Sequence, residues 1–485
     1  MSEGLPVVVI GAGPVGLAAA AELVGRDLPV VVLERGDRAG SAVAAWGHVR
    51  LFSMWRDLVA PAAEKLLAAT GWRRPDDGGY PTGAEWVDSY LAPLATVLGD
   101  RVRLGAEVTG VSRLGRDRVV DAGREERPFT VRVRTRDGEE RLLARAVVDA
   151  SGTWDSPNPL GGDGLPALGE ADAAERVSHR IPDTADPATR ARYAGRTTAV
   201  VGKGHSALTA LVALAALAER EPGTRAVWVL RRGAVGDAFG GGAADQLVER
   251  GALGLRAKAA VEAGHIEVVT GFRTAEVRPV EDRLVLVDDD GRETGPVDEV
   301  VALTGFRPDL GPLSEIRLGL DATLQAPVGL APLIDPNAHS CGTVYPHGVA
   351  ELSHPEKGFF LAGMKSYGRA PTFLALTGFE QVRSIAAHLA GDHESAARVE
   401  LTLPETGVCG GAGLFEEPAA TKAEAGGCCG PAEPAAEEGA RRGDLLLPAS
   451  LSISAGRGAV APTVSASEDG CCGGVSEAGE PERVS

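Results

Sequence analysis

Two stretches of this chain repeat one grammar: an apolar strand, a glycine-rich turn and a helix. The first is "VVVIGAGPVGLAAAAEL", Val7–Leu23, and the second is "TTAVVGKGHSALTALVALAALAE", Thr197–Glu219. Nothing else in the sequence restricts the fold as much, because each copy needs a parallel strand beside it to complete a nucleotide-binding unit. In the first copy Gly11 permits the tight turn, Gly13 lets the backbone approach a pyrophosphate, and Gly16 lets the helix lie close to the strand. The helix start then offers unpaired N–H groups and the positive end of its dipole to the phosphates. The next strand, "PVVVLER", ends in Glu34 and Arg35. Glu34 is placed to accept hydrogen bonds from a ribose, and both residues are assigned to the cofactor site.

The second copy reads Gly202-x-Gly204-x-Ser206-Ala207, with alanine at the third position of the fingerprint. Its following strand, "AVWVLRRG", ends in Arg231 and Arg232 instead of an acid. A guanidinium pairs with a 2′-phosphate where a carboxylate prefers a free hydroxyl, so this site points to NADPH; the plainer reading is a solvated strand end. Two dinucleotide sites in one chain usually mean that one holds a flavin and the other brings a nicotinamide to it.

At 485 residues the chain predicts two or three domains. Strand and helix alternate through both units, which predicts parallel α/β sheets; the family likeness described below implies a Rossmann-like FAD domain interrupted by a Rossmann-like NADPH domain. The expected division is FAD-binding at 1–160 and 297–403, NADPH-binding at 161–296, and a tail at 404–485. The formal net charge of −18 argues against nucleic acid and anionic membranes as partners. Of that charge, −8 falls in Leu401–Ser485, which holds 13 acidic and 5 basic residues. The start of the chain shows no basic segment or cleavage site, and the apolar run Ala207–Ala218 is shorter than the ~20 residues that cross a bilayer, so a cytoplasmic location is expected.

Further segments carry a family likeness. "ARAVVDASGTWDSPNP" (Ala144–Pro159) and "DEVVALTGFRPDL" (Asp298–Leu310) look like the two crossings between domains. "GFFLAGMKSYGRAPTFLALTGFEQVRSIAAHL" (Gly358–Leu389) looks like a closing FAD segment, and "RLGAEVTGV" (Arg103–Val111) like the strand beside the flavin's adenine. Together they resemble two-dinucleotide-binding-domain flavoproteins, within them the flavin-containing monooxygenase-like group. The resemblance implies FAD and NADPH as cofactors, cofactor contacts at Val108, Gly152 and Gly363, and O2 with a small molecule as reactants. The group's signature would place Phe and Gly ahead of His179, where this chain has Ala173 and Glu175. The usual Gly-Asp of the closing segment is Gly363-Met364 here. Thioredoxin-reductase-like relatives need a dithiol beside the flavin, and Cys341 is the only cysteine before residue 400. A further likeness is to flavin-dependent monooxygenase-like proteins of actinobacterial arsenic-resistance operons. It rests on "GGGAADQLVERGALG", "LAPLIDPNAHSCGTV", "GMKSYGRAPTFLALTGFEQVRS" and "LPETGVC".

Candidate chemistry lies in "AAWGHVRLFSMW" (Ala44–Trp55), where this class approaches the flavin ring. Trp46 either stacks near the ring or packs in the core; His48 and Arg50 would orient substrate or balance the reduced ring's charge. Lys365 would stabilise an anionic reduced ring, with Tyr367 and Arg369 nearby. His339, Cys341 and His347 form a loop-like cluster that matches no standard zinc spacing. The tail, rich in Ala, Gly, Glu and Pro, reads as disordered from about Cys409. It carries two adjacent cysteine pairs, Cys428–Cys429 and Cys471–Cys472. Neighbouring cysteines form only strained disulfides, but two thiolates on a flexible chain chelate a soft ion such as arsenite. Three functions are therefore open: a monooxygenase, an NADPH:acceptor reductase, and a metalloid-binding protein acting through its tail.

Overall fold

The computed structural model describes residues 4–233, 235–245, 247–338, 347–371 and 373–401. The chain divides into two compact units, Met1–Ala420 and Thr421–Ser485, and the second lies outside those residues.

The first half of the chain lays down β1 (Val7–Ile10), α1 (Pro14–Val24), β2 (Val30–Leu33) and β3 (Val102–Arg103). Next come the antiparallel strands β4 (Glu107–Arg113), β5 (Phe129–Thr135) and β6 (Gly138–Ala144), followed by β7 (Ala146–Asp149). A second set follows: β8 (Val177–Ser178), β9 (Thr197–Val201), α2 (His205–Ala218), β10 (Arg225–Val229), α3 (Val248–Glu262) and β11 (Ile266–Val269). The antiparallel pair β12 (Thr274–Val280) and β13 (Arg283–Asp288) precedes β14 (Glu299–Ala302). The chain then returns to β15 (Phe359–Leu361) and α4 (Ala375–Leu389).

Two parallel sheets result, ordered β15-β7-β1-β2-β3 and β11-β10-β9-β14-β8. β1, β7, β14 and β15 are buried along their whole length, as the near-continuous Val, Ile, Ala and Phe runs require of strands covered on both faces. Each sheet has the same three-layer plan. On one face of the first sheet α1 and α4 close over Val7 and Val9; on the other, Val8, Ile10 and Leu33 meet Phe129, Val131 and Val133 of the antiparallel layer. In the second, α2 and α3 cover Val200 and Trp228, while Val201 and Val229 face Val277, Leu284 and Leu286 of β12 and β13.

The shared plan fixes where ligands go. In each sheet the first strand (β1 or β9) is followed by a neighbour on one side (β2 or β10), and a later strand (β7 or β14) pairs on the other side. Connections diverge at that point, leaving a crevice beyond the carboxyl end of the first strand, where both glycine turns sit. One boundary differs from expectation: β14 pairs in register with β9, so the second sheet runs beyond residue 296 to Ala302 before the chain crosses back.

Candidate functional site

The first glycine turn is shaped from three directions. Gly11 has φ +96°, and a Cβ there would come 2.9 Å from Ser151 Cα, so the turn is pressed against the first crossing. A Cβ at Gly16 would collide with the Gly11 carbonyl. At Gly13 a Cβ would meet nothing within 4 Å: the backbone faces open space. α1 begins at Pro14 without a side-chain cap, and proline at the first position sacrifices no useful N–H. The turn thus offers uncapped helix N–H groups beside open backbone, which fits a pyrophosphate. The buried Glu34 carboxylate accepts from Ala12 N at 2.7 Å and Gly36 N at 2.8 Å. It braces the turn while keeping further lone pairs for a ribose hydroxyl.

The second turn follows the same rule. Gly202 has φ +133°, and its Cβ would collide with the Leu303 carbonyl of the return crossing. Gly204 meets nothing within 4 Å, and α2 starts after it without a side-chain cap. Ser206 lies in that first helical turn, and Ala207 is fully buried. Beyond β10, exposed Arg231 donates to the Gly162 carbonyl at 3.2 Å, and Arg232 stands next to it. His205, at the helix start, lies edge-on to Phe52 with 5.4 Å between ring centroids. Burial, with the nearby Arg250 guanidinium, pushes its imidazole down to about 4, so the ring is neutral at pH 7.

A cleft of about 780 Å³ opens between residues of the two halves. Ala44, Gly47, His48 and Thr82 line one wall, and Ser178, Arg180, Asp183 and Tyr193 the other. Its size suits a small-molecule site. The two crossings between the halves are zipped together. Asn158 N donates to Gly305 O at 2.9 Å and Arg307 N to Ser156 O at 2.9 Å. Asn158 Nδ2 donates to Thr304 O at 3.0 Å, and Arg307 Nε to Asn158 Oδ1 at 2.9 Å. Trp154 stacks on Phe306, and the Arg180 guanidinium lies 3.7 Å over the Trp154 ring.

The residues expected at the site divide by what holds them. His48 is exposed and lines the cleft. The Trp46 ring lies against Gly83, where a Cβ would sit 2.8 Å from it, and packs on the main core. Arg50 donates to the Tyr80 carbonyl and pairs with Thr82, which ties down the loop under the cleft. Arg35 forms an ion pair with Asp155 of the first crossing. Val108 sits in β4 opposite Val133, and Gly152 has φ +73° within the crossing. Gly363 has φ +69° and donates to Gln381 Oε1 at 2.7 Å.

Lys365, expected to stabilise a reduced flavin ring, is held in a buried ion pair. It is 3 % exposed, and its ammonium donates to Asp149 Oδ2 at 2.7 Å and to Ser151 Oγ at 3.0 Å. Its charge is balanced by a buried carboxylate. His347 is buried beside Gln381, its Nε2 2.8 Å from the amide nitrogen. His339, Cys341, Cys409, Cys428, Cys429, Cys471 and Cys472 lie outside the described residues. Among the described residues no group of three His, Cys, Asp or Glu side chains is arranged to hold a metal. No described helix is long and apolar enough to cross a membrane. Sequence reading did not single out Asp149, Asp155, Asn158 or Trp228. The first three fall inside "ARAVVDASGTWDSPNP", where a polar residue ending a buried strand was the available signal.

Comparison with known proteins agrees with this geometry. The family model described as pyridine nucleotide-disulphide oxidoreductase matches residues 8–329. A curated relative, indole-3-pyruvate monooxygenase YUCCA1 of Oryza sativa subsp. japonica, is 30% identical over 201 residues. That match covers 41% of this chain and 43% of the relative, so the chain spans less than half its length. Among solved structures, bacillithiol disulfide reductase Bdr (YpdA) from Bacillus cereus superposes with a TM-score of 0.58 at 21% identity, covering 80% of this chain and 99% of that one. A double mutant of a flavin monooxygenase from Stenotrophomonas maltophilia gives 0.53 at 23% identity, covering 80% and 98%. These two likenesses establish the shared fold.

Proposed function

We propose a monooxygenase reaction for this chain, which belongs to the pyridine nucleotide-disulphide oxidoreductase family. It is an FAD-dependent oxidoreductase that takes reducing equivalents from a nicotinamide nucleotide. Our reading assigns FAD to the turn at Gly11–Gly16 and NADPH to the turn at Gly202–Ala207. The corresponding parts are 1–160 with the segment after Ala302, and 161–302 between them. With FAD held at the first turn and NADPH at the second, the flavin would pass the two electrons of NADPH to O2, so that one oxygen atom goes to a soft nucleophile and the other leaves as water.

The observation that carries this reading is the cleft walled by His48 and Thr82 on one side and Ser178 and Arg180 on the other, in a chain whose first 400 residues hold a single cysteine. A dithiol relay needs two thiols beside the flavin, whereas an oxygen-transferring site needs a small walled space and no thiol. The protein's part is then to bind, orient and exclude water. Gly13 and Gly204 admit the phosphates, and Glu34 braces the first turn and meets a ribose. Arg231 and Arg232 select the 2′-phosphate. Gly47 and Thr82, the latter tied by Arg50, wall the cleft from one side with His48, and Trp46 packs against Gly83.

The substrate class we favour is an arsenic-containing or similarly soft compound. The motivation is the pair of glycine-flanked Cys-Cys steps in the tail, whose thiolates suit trivalent arsenic. Under ¹⁸O2 with NADPH and a panel of arsenite and organoarsenicals, one labelled oxygen should appear in the product. NADPH oxidation with a reduced acceptor and no label identifies the reductase instead. Removing residues after Leu403 should abolish tight arsenite binding and leave the FAD content intact; unchanged binding rules out the tail as the arsenite site.

A further inference from the structure

The two glycine turns differ at their third position, Gly16 in one and Ala207 in the other. In the first, a Cβ at residue 16 would collide with the Gly11 carbonyl, so that carbonyl rests directly on the helix and glycine is obligatory. In the second, Ala207 carries a Cβ and is fully buried, and a carbonyl disposed as in the first turn would strike it. The Gly202 carbonyl has another place to go: it accepts a 2.7 Å hydrogen bond from Trp228 Nε1. Trp228 pairs with Val200, two residues before Gly202. The matching position in the first unit is Val32, paired with Val9 two residues before Gly11, and valine has no donor. The first unit has glycine and no donor; the second has alanine and a donor.

The indole is itself held firmly. Trp228 is completely buried, and the Phe239 ring lies 5.5 Å away at 59°. The Phe239 carbonyl seats in a notch of α3 where a Cβ at Gly254 would collide. The loop from Val235 to Asp245 is pinned to α3 by the buried Asp245–Arg250 ion pair, with Arg250 Nε 2.8 Å from Asp245 Oδ2. Glycine at 254 in "GGGAADQLVERGALG" therefore lets Phe239 reach the back of Trp228.

We infer that Trp228 is the positioning residue of the nicotinamide-nucleotide cradle: its indole N–H draws the Gly202 carbonyl away from Ala207 and holds the turn in the shape that leaves Gly204 open. It acts through the turn and touches no cofactor. The inference rests on the assignment of NADPH to this turn, and it explains how the fingerprint accommodates alanine here and only glycine in the first copy.

Calorimetric titration of the FAD-loaded full chain with NADP⁺ tests it, using wild type, Trp228→Phe, Ala207→Gly and the double variant. Trp228→Phe keeps a six-membered aromatic ring and removes the donor. It should weaken NADP⁺ binding about tenfold and raise KM for NADPH in parallel, with kcat at saturation and the flavin absorbance unchanged. Ala207→Gly alone should stay within about twofold of wild type. In the double variant glycine lets the carbonyl settle as in the first turn, and binding should recover most of the loss. Unchanged NADP⁺ affinity in Trp228→Phe, or a double variant as weak as Trp228→Phe, overturns the inference. If Trp228→Phe fails to fold, recovery of folded, NADP⁺-binding protein on adding Ala207→Gly supports the coupling, and no recovery overturns it. Wild type that binds neither NADP⁺ nor NAD⁺ sinks the assignment of the cradle itself, an outcome read on unmutated protein and so distinct from the others.

Discussion

Lys365 and Asp149 are 216 residues apart in sequence and share one buried ion pair at the end of β7. Truncating one partner strands a charge away from water, so Lys365→Met should lower unfolding free energy by about 3–5 kcal/mol in denaturant titrations of the flavin-loaded protein. Adding Asp149→Asn should restore part of that loss, whereas a flavin-facing lysine would lose rate at unchanged stability. His354 carries a second residue-scale consequence. It is buried, its Nε2 has no partner among the described residues, and burial pushes it down to about 4. The unfolded chain takes up the proton first, near pH 6.5, so stability falls as pH drops from about 6.5 toward 4. Thermal melts should show this slope, and His354→Gln should flatten it by on the order of 2 kcal/mol between pH 7 and 4.5. Glu356, whose carboxyl is held below its usual range by hydrogen bonds from Arg124 and Arg113, loses its contribution only at lower pH, which separates the two effects. Glu34 was readable as a functional acid from its place after β2. Its bond to Ala12 N was not, because that depends on how close β1 and β2 bring their ends.

At the scale of elements, the three glycines of the first turn do different work, and single methyl groups should separate them. Gly13 has φ −79° and open space before it, so Gly13→Ala should melt within about 1 kcal/mol of wild type yet purify without FAD. Gly16→Ala drives a methyl group into backbone and should lower the melting temperature by several degrees before cofactor is considered. The ratio of flavin absorbance to protein absorbance, read beside the melt, distinguishes them. Both strand–turn–helix units were legible because their glycine spacing and apolar runs are local signals. The end of the second sheet was not: Glu299–Ala302 looks like any buried strand, and only its pairing with β9 assigns it to that sheet. The two short antiparallel layers were equally silent, since alternating strands do not announce which parallel sheet they cover.

Over the whole molecule, the two crossings at 150–158 and 303–307 are the narrow connection through which both halves must be held in relation. Asn158 makes side-chain bonds to Thr304 O and Arg307 Nε across them. Asn158→Ala should raise hydrogen exchange at the backbone amides of positions 158 and 307 about tenfold while the exchange of β1 and β9 is unchanged. Equal protection in the variant would mean that the backbone bonds alone close the zip. The sequence determined that this chain contains two dinucleotide units and which acids and arginines end their second strands, each a pattern within about 30 neighbouring residues, and that no dithiol stands in its first 400 residues. Tertiary structure decided what those patterns do. It neutralised Lys365 with Asp149, set Trp46 on Gly83, tied Arg35 to Asp155, and turned the Gly202 carbonyl toward Trp228. Each of these joins residues from separate elements, and a side chain's charge or donor acquires a role only when folding brings its partner within hydrogen-bond reach.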